Sequence, residues 1–150
     1  DPYETIRPAV VADLGGILEL VRPLAEAGVL LGRGRERLES ELDHYWVMER
    51  DGLVVATAAL YAYPDHGAGE LGCLAVHGDY RDGGRGERLL ETAAEAARSQ
   101  GLERLVVLTT QAAHWFRERG FEPGDPEGLP PPRRAAYDQA RNPKVLERAL

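Results

Sequence analysis

One cysteine, Cys73, is all the thiol chemistry in 150 residues. It excludes an internal disulfide and a cysteine zinc cluster, and it fits a reducing cytoplasm. The four histidines, His44, His66, His77 and His114, show no metal-ligand spacing, so no metal is expected. No apolar run approaches the ~20 residues that cross a bilayer, and no charged-then-apolar leader opens the chain. Positive charge is also short: 18 Lys and Arg stand against 25 Asp and Glu, a net charge of -7. Nucleic acid is therefore an unsuitable partner, because phosphate contact calls for a basic surface. Any anionic ligand must meet a local basic cluster instead.

What is present is 43% hydrophobic and 29% charged, the composition of one globular domain. Residues 3–8 suggest a short strand. Asp13 is placed to cap a helix carrying Leu14, Ile17, Leu18, Val21, Leu24 and Ala25 at helical spacing, with Pro23 expected to kink or shorten it. Residues 28–34 are glycine-punctuated and read as a loop, and 35–44 reads as a second short helix. A strand at 45–50 turns at Asp51-Gly52 into the apolar run LVVATAALY (53–61), a strand buried on both faces. Another strand spans Glu70 to Val76. A helix then carries Leu89, Leu90, Ala93 and Ala97 and ends near Gly101, followed by a buried strand at 102–110. Residues 113–120 are helical, with Gly120 as the stop, and Trp115 and Phe116 are assigned to the core. A proline-rich stretch, a short helix and a last strand, KVLERAL, close the chain. The order is α/β (α+β): helices on a mainly antiparallel sheet, with a right-handed parallel crossover between 70 and 110.

Between the strand ending at Val76 and the following helix lies YRDGGRGER (80–88), three glycines and three arginines in nine residues. Glycines let backbone N–H groups converge, and a helix N-terminus adds a favourable dipole, so the segment suits an anion. A nucleotide P-loop would need Lys-Ser or Lys-Thr, and a dinucleotide fingerprint would need a glycine where Leu89 stands. The pattern met is Arg-x-x-Gly-x-Gly, by Arg81, Gly84 and Gly86. On these residues alone, an anion cradle and a flexible surface turn with solvated arginines stand side by side.

That pattern resembles the pyrophosphate loop of the GNAT acetyltransferases. The stretches LVRPLAEAGVLLGRGRERLE, GELGCLAVHGDYRDGGRGERLLE, LVVLTTQAAHWFRERGF and RNPKVLERAL are similar to the acetyltransferase domain of bacterial N-acetylglutamate synthases. The resemblance implies a GNAT fold whose fourth and fifth strands are parallel and splayed. It implies an acetyl-CoA:L-glutamate N-acetyltransferase, at the first step of arginine biosynthesis. It also implies that residues 1–150 are one GNAT domain, excised from a longer chain with an amino-acid-kinase-like domain before it; the Asp1-Pro2 start agrees. A homo-oligomer is compatible with this reading.

The resemblance also assigns residues. Backbone groups of Cys73, Leu74 and Val76 would pair with the pantetheine arm of acetyl-CoA, and Arg81, Gly83, Gly84, Arg85 and Gly86 would hold its pyrophosphate. Glu70 would take the proton from the glutamate ammonium; the alternative is a strand-end glutamate with no task. Thr109 would serve the departing thiolate, because Phe116 stands where many relatives have a tyrosine; the alternative is a β-branched residue chosen for strand propensity. Arg33 and Arg141 would contact the two carboxylates of glutamate, with Leu31 as a neighbouring substrate contact, Arg35 as a further candidate and solvated surface arginine as the alternative. Gly32-Arg33-Gly34 and Asn142-Pro143 depart from the family's Arg-Arg-Ser and from its serine after the tail arginine. Cys73 reads as a buried structural thiol rather than a nucleophile. Two other readings remain: a GNAT enzyme for another amino acid or small amine, and a non-catalytic acetyl-CoA-binding domain.

Overall fold

A computed structural model of the chain describes residues 3–27, 34–137 and 142–150. Seven strands follow the order β1-β2-β3-β4-β5-β7-β6. They are β1 (Glu4–Pro8), β2 (Tyr45–Arg50), β3 (Leu53–Tyr63), β4 (Ala68–Val76), β5 (Arg104–Thr109), β6 (Glu122–Pro123) and β7 (Lys144–Ala149). The helices are α1 (Leu14–Glu26), α2 (Arg35–Ser40), α3 (Arg85–Ser99), α4 (Ala113–Arg117) and α5 (Pro131–Ala135). The β4–β5 pair is parallel, as expected for a strand–helix–strand crossover; β1–β2, β2–β3, β5–β7 and β6–β7 are antiparallel. The chain divides into two compact units, Asp1–Leu60 with Cys73–Ala93, and Tyr61–Gly72 with Ala94–Leu150.

In the first unit, β2 and β3 form a hairpin whose turn residues Asp51 and Gly52 have φ of 50° and 81°. Both angles are left-handed, and this turn type matches the natural twist of paired strands. Val54 through Leu60 are all buried, so the long apolar run is a central strand. Leu14, Ile17, Leu38, Val47, Met48, Val55, Leu89 and Leu90 are almost fully enclosed. Gly16 of α1 lies so close to β3 that a Cβ there would sit 2.8 Å from Val54 Cγ2.

In the second unit, Leu105, Val106, Val107, Phe121 and Leu146 are buried, and Ala68, Val106, Leu129 and Val145 form one cluster. The β4–β5 ladder is registered at Ala68–Arg104, Gly69–Leu105 and Glu70–Val106.

Several local expectations are corrected. Asp13 does not cap α1. Its carboxylate accepts from Arg7 at 2.7 and 3.0 Å and from the Val10 N–H at 2.8 Å, closing a 3-10 turn instead. α1 is not shortened at Pro23 but runs on to Glu26. Pro23 is in the last turn, and the carbonyl it orphans belongs to exposed Glu19, where solvent can serve it. The helix expected at 35–44 breaks into α2 and a 3-10 turn at Leu42–His44. β3 runs on to Tyr63 and β4 begins at Ala68, so the loop between them is short. α3 begins at Arg85, inside the glycine-rich segment rather than after it. Trp115 is half-buried, with the Arg119 guanidinium 3.9 Å over its ring, whereas Phe116 is in the core.

Candidate active site

Two groups of expected site residues lie in described parts of the chain, one in each compact unit. The first is the segment after β4. The 3-10 turn Gly78–Tyr80 is capped by His77, whose Nδ1 accepts the Asp79 N–H at 3.1 Å. The backbone then turns left-handed at Asp82 (φ 67°) and Gly84 (φ 78°) before α3 starts. Across this junction the Arg88 N–H donates to the Gly84 carbonyl at 3.0 Å. The opening turn of an α-helix presents N–H groups that have no carbonyl one turn back within the helix. They supply the donors and the dipole that an anion needs. Arg81 is exposed, and its Nε reaches the Val76 carbonyl at 3.5 Å.

Arg85 is not a free cation. Its Nε donates to Glu4 Oε1 at 3.0 Å, its Nη2 to the same oxygen, and its Nη1 to the Tyr80 carbonyl at 2.9 Å. Glu4 also accepts from Arg50 at 3.0 Å and from Arg88 at 2.9 Å, and its side chain is 1% exposed. The Arg85 hydrogen bonds are the largest reason why the Glu4 carboxyl titrates near about 2 instead of 4.5; the Arg88 and Arg50 bonds add to them, and burial opposes all three.

On β4, Cys73 is buried and has φ of 49°. A left-handed non-glycine residue costs about 1–2 kcal/mol. The Tyr45 hydroxyl donates to Cys73 Sγ at 3.3 Å, which fits a structural thiol. Leu74 and Val76 are half-buried.

The second group is built on β4 and β5. Glu70 Oε1 accepts from Arg133 Nε at 2.6 Å, and both side chains are mostly covered. Arg133 comes from α5, which Pro131 and Pro132 open at positions where a missing N–H costs nothing. Buried Leu129 anchors the preceding segment, and Arg104 Nη2 holds the Gly128 carbonyl at 2.9 Å. Tyr63 belongs to the same neighbourhood. Burial raises its phenol above the ordinary value, the Glu70 charge adds to this, and Arg133 opposes it. Thr109 ends β5, and its Oγ1 accepts the Ala112 N–H at 2.9 Å, turning the chain toward α4. Accepting that bond leaves the hydroxyl hydrogen free to donate. Glu70 pairs with Val106, so Thr109 lies three residues, about 10 Å, further along β5. Phe116 packs edge-on to Phe121 at 5.3 Å.

Leu31, Arg33 and Arg141 lie outside the described residues. Arg35 is exposed at the start of α2. Beside Arg141, the Pro143 carbonyl accepts the Tyr137 hydroxyl at 2.9 Å. Sequence reasoning missed Glu4 and Arg133. Neither has a local signal, since their partners are 81 and 63 residues away. Among the described residues, no group of three His, Cys, Asp or Glu could hold a metal ion, and no helix is long and apolar enough to cross a membrane.

Comparison with known proteins adds to this geometry. A profile described as an acetyltransferase (GNAT) domain matches residues 41–123. The amino-acid acetyltransferase of Azotobacter vinelandii is 53% identical over 150 residues, all of this chain but 35% of that protein. The same-named protein of Pseudomonas fluorescens is 51% identical with the same coverage. The chain thus spans about a third of the length of these curated relatives. The crystal structure of N-acetylglutamate synthase from Neisseria gonorrhoeae with coenzyme A and N-acetyl-glutamate matches with a TM-score of 0.95 at 40% identity. That match covers 100% of this chain and 36% of the synthase chain.

Proposed function

Because this chain belongs to the GNAT acetyltransferase family, we propose that it binds acetyl-CoA and transfers the acetyl group to the α-amine of L-glutamate, releasing coenzyme A. The observation that carries this reading is the similarity, over the whole chain, to a synthase crystallised with coenzyme A and N-acetyl-glutamate. The names of the curated relatives support transfer to an amino acid. In this reading the product enters arginine biosynthesis, and the kinase-like domain belongs to the part of the relatives that these residues do not span.

The chemistry follows from the residues. Free glutamate carries an ammonium at neutral pH and cannot attack a thioester. Glu70, a carboxylate ion-paired with Arg133, is assigned to accept the ammonium proton, directly or through a water. The amine then attacks the acetyl carbonyl; the C–N bond forms and the C–S bond breaks. A backbone N–H from the Cys73, Leu74 and Val76 stretch of β4 meets the negative charge that develops on the oxygen. The Thr109 hydroxyl, with its oxygen occupied by Ala112, has its hydrogen to offer the departing thiolate. A thiol pKa of about 8.5 makes that demand modest. The amides of Gly83, Gly84, Arg85 and Gly86, with Arg81, are assigned to the pyrophosphate, Arg33 and Arg141 to the acceptor carboxylates, and Leu31 to a neighbouring contact with the acceptor.

The test is coenzyme A release from acetyl-CoA, screened against each free amino acid. Glutamate should give the highest kcat/KM. Glu70→Gln should lower kcat by about 10²-fold or more, with little change in the KM for acetyl-CoA. Release with a different amine would keep the family chemistry and move the acceptor. Coenzyme A binding without release to any amine would make this a binding module. Full activity in Glu70→Gln would remove Glu70 from the mechanism.

A further inference from the structure

We propose that Glu4 is a positioning residue for the anion-binding segment after β4. Its buried carboxylate holds the Arg85 guanidinium as a strut over Gly83, and the strut sets the backbone N–H groups of the segment. The proposal rests on the reading that this segment receives the coenzyme A pyrophosphate.

The strut is visible in how Arg85 is used. All three of its guanidinium nitrogens are engaged, two on Glu4 and one on the Tyr80 carbonyl. Its Cζ also lies 5.1 Å from the Tyr80 ring centroid. A side chain tied at both ends is poorly placed to follow a phosphate, so the positive charge of Arg85 serves the loop's shape. Gly83 gives a second observation. A Cβ there would fall 2.5 Å from Arg85 Nη1. Such a clash is ordinarily relieved by moving the end of a flexible arginine, but here Glu4 and Tyr80 pin that end. The glycine is thus explained by the strut that crosses it.

Glu4 itself is positioned by the sheet. It stands directly across from Arg50 in the β1–β2 register, and this pairing brings its carboxylate under the start of α3. Surface ion pairs are worth little because water screens them. A carboxylate 1% exposed is screened far less. Arg88 differs from Arg85: it meets the other Glu4 oxygen through Nη2 alone and is 44% exposed.

A rival role gives the opposite sign. If Glu4 merely competed with phosphate for these arginines, removing its charge would tighten coenzyme A binding.

The experiment compares two acetyl donors, acetyl-CoA and S-acetylpantetheine, which lacks the pyrophosphate. In Glu4→Gln, kcat/KM for acetyl-CoA should fall about tenfold or more, through KM, with kcat at saturation unchanged. The kcat/KM for S-acetylpantetheine should not change. Glu4→Asp keeps the charge but withdraws it from Arg85 by one methylene, and should show a smaller loss that is again confined to acetyl-CoA; it decides the matter if Glu4→Gln does not fold. Equal losses with both donors, no loss with either, or tighter use of acetyl-CoA would overturn the proposal. A wild type that prefers acetyl-CoA, with Glu4→Gln and Glu4→Asp keeping the same preference undiminished, would overturn this proposal alone. A wild type that uses both donors equally well would remove the pyrophosphate reading and the proposal with it.

Discussion

Asp82 and Gly84 turn left-handed on either side of Gly83, with φ of 67° and 78°. The two glycines are needed for different reasons. At Gly84 a Cβ would meet nothing within 4 Å, so only the backbone angle demands glycine. Gly84→Ala should therefore lower stability by about 1 kcal/mol in urea unfolding; no change would mean that the turn relaxes freely. At Gly83 it is a neighbouring side chain that demands glycine. The sequence alone exposed both positions, because glycine is conspicuous and a strand precedes it. It could not expose Glu4 or Arg133. A single acid in a short edge strand and an arginine in a proline-rich tail become partners only once sheet register and tail path are known. Asp13 shows the reverse case: a residue well placed for capping was drawn to the nearer guanidinium of Arg7.

At the scale of elements, α1 offers a controlled comparison of adjacent glycines. Gly15 is exposed with nothing within 4 Å of a Cβ, whereas Gly16 faces Val54 Cγ2 at 2.8 Å. Gly15→Ala should raise stability by about 0.5 kcal/mol by restricting the unfolded chain. Gly16→Ala should lower it by about 1–3 kcal/mol, because the buried strand leaves no room to retreat. Thermal unfolding of both variants reads the signs, and a common sign would deny the close approach of α1 to β3. Strands and helices with a clear period were legible. β6 was not, since two residues ending in proline carry no pattern; an edge strand tolerates a proline that an interior strand would reject. The start of α3 was misjudged because its first turn, Arg85–Arg88, is built from the residues that read as loop.

At the scale of the whole molecule, the buried acids set the response to pH. Glu4 is held down to about 2 from 4.5, and Asp13 is held below its ordinary value chiefly by Arg7. Carboxyls depressed in the fold stabilise it fully above their unfolded values and lose that contribution as protons are forced on. Stability should therefore be flat above about pH 4.5 and fall as the pH drops toward about 2. Urea midpoints measured across that range check it, and Glu4→Gln should flatten the slope. The family was legible in the sequence because its motifs are local. The acceptor was less so, because the arginines assigned to it, Arg33 and Arg141, sit where the matching stretches depart from the family pattern. One feature of β4 makes the whole fold measurable from inside. The chain's single thiol is 5% exposed beneath the Tyr45 hydroxyl. A maleimide or disulfide dye can reach Cys73 only when the strand opens. Its labelling rate under native conditions is a clock for that opening, with no engineered probe and no second cysteine to confuse the signal. Coenzyme A should slow the clock if it seats on the same strand, and leave it running at the same rate if it does not.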